Sequence, residues 1–313
     1  MIMHGDGHGG VHHHDGFINV NGIFEGRFNI VLTNPPFGAN VEPSDLVEES
    51  HFNVPDEVYR KYKADYPTLY QEAIAKIRAA KGNPILSLFK LPKTGGKMKT
   101  EILFMERCLD LLKPGGMLGI VLPEGIFNNP SLAYVREFCE NRAFIRAVIS
   151  LPQETFFSSG ASVKASLLFL QKFTVKEQAD FDAKHTKAHV EVQARHADEI
   201  AAETRRLESA IAVAKEARDV EQRKTLQREL LDYEKKMTDI ISSETRALLK
   251  ERFPYPIFLY EAEKVGITAT GEPDQNELYP NDNMPLGIKK TCLELYQEFR
   301  RNPKAFLLTE AAQ

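Results

Sequence analysis

The order of apolar and polar positions divides the chain into three regions. Up to residue 173, short β-type runs alternate with stretches of helical period, the pattern of an α/β sheet. Phe28–Thr33, Met117–Leu122, Ile145–Ser150 and Ala165–Gln171 read as strands, and Val11–His14 as a further short one. Between them, Thr100–Leu112 places Ile102, Leu103, Met105, Leu109 and Leu112 near one stripe, which predicts a helix. Lys113-Pro114-Gly115-Gly116 then predicts a tight turn. Leu132–Asn141 reads as the next helix. Residues 40–98 form a long insertion, helical around Pro67–Ala80 and with a glycine tip at Thr94–Lys97.

From Thr174 to Arg252 there is neither Gly nor Pro, and charged residues dominate. Leu226, Leu230, Tyr233, Met237 and Ile240 step by four, three, four and three, the spacing of a coiled-coil seam. Ile200, Leu207, Ile211 and Ala214 make a matching stripe. This predicts two antiparallel helices reversing near Ala217–Glu221, a hairpin projecting from the sheet domain. Pro254 and Pro256 end it. Residues 253–313 then form a C-terminal segment, partly irregular from Phe253 to Val265, with a last helix near Lys289–Arg300. The expected organisation is therefore 1–173, 174–252 and 253–313.

Composition narrows the choices further. With 42% hydrophobic and 27% charged residues in 313, disordered and collagen-like classes are excluded. Apolar runs are interrupted well before the roughly 18 residues a membrane span needs, so no membrane partner is expected. The start is not a basic stretch followed by an apolar one, so a cytoplasmic location is the default. Cys108, Cys139 and Cys292 lie far apart and form no zinc framework. His4, His8, His12, His13 and His14 reflect composition, and no metal site is expected from them. A net charge of −4 argues against a broad DNA grip by this chain alone, so any nucleic-acid role needs a local basic patch or a basic partner.

The chemistry-bearing signal is Asn34-Pro35-Pro36-Phe37, directly after the strand Phe28–Thr33, where open α/β sheets place their ligands. An adenine exocyclic amine is a weak nucleophile because its lone pair is delocalised into the ring. A catalyst for such an amine needs acceptors that draw on its hydrogens. The Asn34 side-chain oxygen and the Pro35 carbonyl are such acceptors, the prolines fix φ, and Phe37 can stack on an extruded base. The structural alternative is a stiff strand-to-turn junction with Phe37 in the core.

FNIVLTNPPFG resembles the [DNS]-P-P-[YF] motif of amino-methyltransferases. TEILFMERCLDLLKPGGMLGIVLPEGIF resembles the helix and strand that follow it in modification (M) subunits of type I restriction-modification systems, and FPYPIFLYEAEKVGITATG resembles their C-terminal region. The resemblance implies a partial Rossmann-like α/β methyltransferase sheet with a long α-helical hairpin and a small C-terminal helical segment. It implies methyl transfer from S-adenosylmethionine to N6 of a flipped adenine in DNA. Partners would be a specificity subunit that reads DNA and a restriction subunit. Asn34, Pro35, Pro36 and Phe37 would be catalytic, with Asn34 also beside the donor. Asp15 would lie near the donor's adenine ring. Phe157, with Phe156 as the alternative, would pack against the target base.

The chain also departs from that family. Its members begin the catalytic domain with a glycine loop for the methionine part of the donor and an acid for the ribose. Gly5–Gly10 imitates such a loop but has no strand before it. The expectation is a C-terminal fragment that lacks the donor loop, is inactive alone, and is complemented by a separate N-terminal methyltransferase fragment. Two other functions stay open: an NPPF enzyme acting on RNA or a protein amide, and a catalytically silent fragment that binds partners only.

Overall fold

The computed structural model describes residues 15–18, 22–52, 56–91, 96–160 and 162–306. The expected strand at Val11–His14, the Gly5–Gly10 run, the histidines before Asp15 and residues 94–95 of the glycine tip lie outside them. The chain divides into two compact units, Met1–Thr174 with Pro256–Gln313, and Val175–Tyr255.

The first unit opens with β1 (Phe28–Thr33), whose β-branched and aromatic residues suit an extended strand. Pro35 and Pro36, which have no N–H to offer a ladder, follow it. The chain then makes β2 (Asn40–Val41), α1 (Asp56–Asp65), α2 (Pro67–Ala79) and β3 (Met98–Lys99). β2 and β3 pair antiparallel, Asn40 with Lys99 and Val41 with Met98, so the insertion leaves and returns side by side. Next come α3 (Thr100–Leu111), β4 (Leu112–Pro123), the short α4 (Gly125–Asn128), α5 (Ala133–Glu140), β5 (Ala143–Ser150) and β6 (Ala165–Lys172).

The main sheet has the order β1-β4-β6-β5, and a fifth strand, β7 (Phe258–Glu261), joins beyond β5. β1 runs parallel to β4 and β7 parallel to β5, while β6 is antiparallel to both of its neighbours. The carboxyl ends of β1, β4, β5 and β7 therefore lie along one edge of the sheet with the amino end of β6. Two sequence expectations change here. β4 begins at Leu112 rather than Met117, because the turn at Lys113–Gly116 is absorbed as a bulge: Phe28 pairs with Leu112, and Ile30 already with Met117. Gly115 takes φ +80° there, and a Cβ on Gly116 would lie 3.0 Å from the Asn29 carbonyl oxygen. The second change is β7 itself. Its two flanking prolines read as irregular chain, yet they precede the strand and leave its ladder intact.

One face of the sheet packs Leu118, Ile120, Leu122, Leu168 and Leu170 against Ile102, Leu103 and Leu109 of α3 and Val135 and Phe138 of α5. Lys172 donates to the Leu109 and Leu112 carbonyl oxygens at 2.7 and 2.8 Å, satisfying two acceptors at the end of α3. Burial pulls the pKa of that amine below the ordinary lysine value. Glu106, buried in α3, accepts the backbone N–H groups of Lys90 and Leu91 at 2.5 and 2.8 Å, tying down the returning insertion.

After β7, a two-stranded ribbon of β8 (Val265–Ile267) and β9 (Pro273–Asn276) leads to α8 (Cys292–Arg301). The last helix thus starts three residues later than the sequence suggests, at a capping box in which Thr291 and Glu294 satisfy each other's backbone N–H. α8 covers the far part of the second sheet face, where Ala147, Phe258, Cys292 and Phe299 pack together. At the β1 end of that face, Ile30 is 63% and Leu32 75% exposed.

The second unit is a helical hairpin of α6 (Val175–Glu216) and α7 (Val220–Arg252). The reversal falls within the expected Ala217–Glu221, with Arg218 at φ 57° and Asp219 capping α7 by accepting from Gln222 N–H. Its buried seam holds Phe181, Ala188, Val192, Leu207 and Ala214 of α6 against Met237, Ile241, Thr245 and Leu249 of α7. Ile241, not Ile240, is the buried residue, because α7 steps by four from Met237 onward. Arg206 bridges the helices to Glu229 at 3.0 Å, and His196 lies 3.1 Å from Glu244.

Candidate active site

The chain leaves β1 at the sheet edge that gathers the strand carboxyl ends and enters the loop Asn34–Ala39. Pro35 is buried, Phe37 half-buried, and Asn34 and Pro36 exposed. Among the described residues no hydrogen-bond partner engages the side chain of the exposed Asn34. The loop then turns at Gly38, whose φ of +77° favours glycine.

What holds this loop comes from the start of α3. Thr100 Oγ1 donates to the Pro36 carbonyl oxygen at 2.8 Å, and Thr100 N–H donates to the Ala39 carbonyl oxygen at 3.0 Å. Gly38 N–H points at Glu101 Oε2, 3.4 Å away. Thr100 is 7% and Glu101 1% exposed. Lys99 Nζ lies 3.9 Å from the Glu101 carboxylate. In the sequence Thr100 and Glu101 stand only at the start of a predicted helix. Nothing in their spacing signals that they face a loop more than sixty residues away.

A second aromatic completes the surroundings. Phe37 and Phe156 meet with ring centroids 6.1 Å apart and planes at 82°. Phe156 belongs to a 3-10 segment, Gln153–Ser159, and Phe157 beside it is 42% exposed. The structure thus brings the alternative aromatic, Phe156, to Phe37. At the same sheet edge, Glu124 follows β4 and accepts from Ser166 Oγ at 3.0 Å, while its N–H donates to the Lys164 carbonyl.

Asp15 lies elsewhere. Its exposed carboxylate accepts Phe17 N–H at 2.8 Å, and Phe17 packs on Phe104 with centroids 4.4 Å apart. Asp15 rims a cavity of about 400 Å³ whose walls include Phe17, Val41, Asp45, Glu48 and Ile85. Asn34 and Phe37 are not among the residues lining it. Its lining is mostly polar, with Ser44, Asp45, Glu48 and His51 alongside Asp15. No group of three or more His, Cys, Asp or Glu among the described residues could hold a metal ion, and no described helix is long and apolar enough to cross a membrane.

Residues 79–222, a little under half of the chain, match the N-6 DNA methylase family. The solved structures it resembles include a protein from Listeria monocytogenes described as a class I S-adenosylmethionine-dependent methyltransferase, at 24% identity and TM-score 0.30, with 48% of this chain and 33% of that one covered. A Vibrio vulnificus protein described as the modification subunit of a type I restriction enzyme gives 20% identity and TM-score 0.29 over 47% of this chain and 23% of that one. The M protein of the type I restriction enzyme EcoKI gives 20% and 0.28 over 49% and 22%. The chain thus spans a third or less of the length of each. No curated protein matches it.

Proposed function

We propose that this chain, whose residues 79–222 match the N-6 DNA methylase family, carries the target-adenine side of an N6-adenine DNA methyltransferase of the type I restriction-modification kind. The observation that carries this reading is the loop Asn34-Pro35-Pro36-Phe37 at the carboxyl end of β1, with Asn34 exposed and Phe156 beside Phe37. The Asn34 side-chain oxygen and the Pro35 carbonyl accept the two hydrogens of the exocyclic amine. Electron density is thereby drawn back onto N6, which makes it a better nucleophile. Pro35 and Pro36 lose little on being ordered, because their φ is already fixed. One ring of the Phe37–Phe156 pair presents its face to the base while the other supports it edge-on, and stacking of about 1–3 kcal/mol per base offsets much of the few kcal/mol needed to extrude it.

S-adenosylmethionine, when bound, supplies the methyl group. Asp15, with Phe17 beside it, would receive its adenine end. The glycine loop and ribose acid of such enzymes do not lie among the described residues, and the open β1 end of the sheet leaves Ile30 and Leu32 uncovered. Weak donor binding by this chain alone is the expectation that goes with this reading. DNA, a specificity subunit and a restriction subunit are the partners this reading assigns. The test is incorporation of labelled methyl groups into DNA by the chain with those partners. Label in adenine N6 supports the assignment; label in RNA or in protein amides, or none in any assembly, overturns it.

A further inference from the structure

The target loop cannot hold itself. Two successive prolines remove two backbone donors, so neither Pro35 nor Pro36 can join a turn or ladder through an N–H. Its shape must be imposed from outside, and the imposing groups lie at one place. Residues 98 to 101 receive the whole return of the loop. The Asn40–Lys99 and Val41–Met98 pairs close its far end. Thr100 N–H holds the Ala39 carbonyl, and Thr100 Oγ1 holds the Pro36 carbonyl at 2.8 Å, from a residue only 7% exposed. Glu101, 1% exposed, turns its carboxylate under the Gly38 N–H at 3.4 Å.

We propose that Thr100 is a positioning residue for the reaction, acting through the Pro36 carbonyl to aim the Asn34 amide and the Pro35 carbonyl, with Glu101 as the anchor of the turn at Gly38. Thr100 touches no reacting atom. It fixes the peptide that follows Pro36, so the Pro35 carbonyl is aimed from one peptide unit upstream of a hydrogen bond that a serine could also make and a valine could not. The Gly38–Glu101 contact is long, which leaves room for it to tighten when a base occupies the loop. This inference rests on the proposed adenine methylation for its catalytic arm, but the loop-holding arm stands without it.

The experiment compares Thr100→Val, which keeps shape and loses the donor, with Thr100→Ser, which restores it, and with Glu101→Gln, which keeps shape and loses the charge. In the full chain, amide hydrogen exchange at Gly38 and at residue 100 should accelerate about tenfold in T100V and E101Q and stay at the wild-type rate in T100S, with an unchanged melting temperature. In the active assembly, T100V should lower kcat for adenine methylation by roughly 10²-fold with KM for DNA nearly unchanged, and T100S should recover it. Unchanged exchange at Gly38 in both T100V and E101Q would overturn the proposal. So would faster exchange with wild-type kcat. If the wild type transfers no methyl to adenine in any assembly, the functional reading fails, while the exchange result still decides whether Thr100 and Glu101 hold the loop.

Discussion

Phe37 and Phe156 approach edge to face, 6.1 Å between centroids and 82° between planes, although 119 positions separate them in the chain. This arrangement leaves one ring of the pair able to present its face to a base while the other supports it from the side. Phe156→Ala should therefore weaken binding of an oligonucleotide carrying 2-aminopurine at the target position by about 1–3 kcal/mol, the range for loss of one base–aromatic stack. Phe157→Ala, at a residue 42% exposed, should cost less. Fluorescence titration of the two variants decides the order. A larger loss in the Phe157 variant would give the substrate role to that ring.

The three cysteines, all free and buried, give a pH-dependent signature. Burial pushes the Cys108 and Cys139 thiols up to about 12, against 9.0 for an exposed thiol. The folded protein keeps these protons where the unfolded chain loses them. Their contribution to stability is thus fully present below pH 9.0 and declines as pH rises towards about 12. Thermal unfolding should show a melting temperature that falls across that window, with a shallower fall in Cys139→Ala measured from its own value at pH 8. Iodoacetamide at pH 8 should label none of the three in the folded chain and all three after denaturation. Rapid native labelling of Cys108 or Cys139 would show that the sheet–helix core opens readily.

In the hairpin, the apolar seam outweighs the ion pairs. Met237, 4% exposed, should cost about 2–5 kcal/mol when truncated to alanine, through lost burial and the cavity left behind. Arg206→Ala should cost less than about 1 kcal/mol, because its contacts with Glu203 and Glu229 are solvent-exposed and screened. Chemical denaturation followed by circular dichroism checks both values, and equal losses would contradict the packing assigned to the seam.

Among the described residues, β1 pairs only with β4, so one of its edges carries unpaired backbone groups beside the exposed Ile30 and Leu32. Such an edge invites association. The double substitution Ile30→Lys and Leu32→Lys should reduce concentration-dependent oligomers in light scattering while the circular dichroism spectrum stays unchanged. Undiminished association would place the sticky surface elsewhere.

Much of this was legible from periodicity. The runs Phe28–Thr33 and Ala165–Gln171 and the Gly- and Pro-free stretch each carry one dominant pattern, and each became the expected element. β7 was hidden because Pro254 and Pro256 dominate a local reading, while its partner β5 lies more than a hundred residues upstream. The Lys113–Gly116 turn was recognised chemically, but whether it ends a strand or bulges one depends on the neighbouring β1. At the site, the motif Asn34–Phe37 was visible because its chemistry is local. Thr100 and Glu101 were not singled out, and Phe156 stood only as the alternative to Phe157, because their relevance comes from distances that only the folded sheet brings below 7 Å.

The central claim is that Asn34 accepts from a target amine. Its most direct test is incorporation of labelled methyl groups into adenine-containing DNA by the active assembly, comparing the wild type with Asn34→Ala. The account expects loss of at least roughly 10²-fold in kcat, as when one preorganised polar group at a reacting centre is removed, with the melting temperature unchanged because the Asn34 side chain is exposed. Incorporation within a few fold of wild type would contradict it.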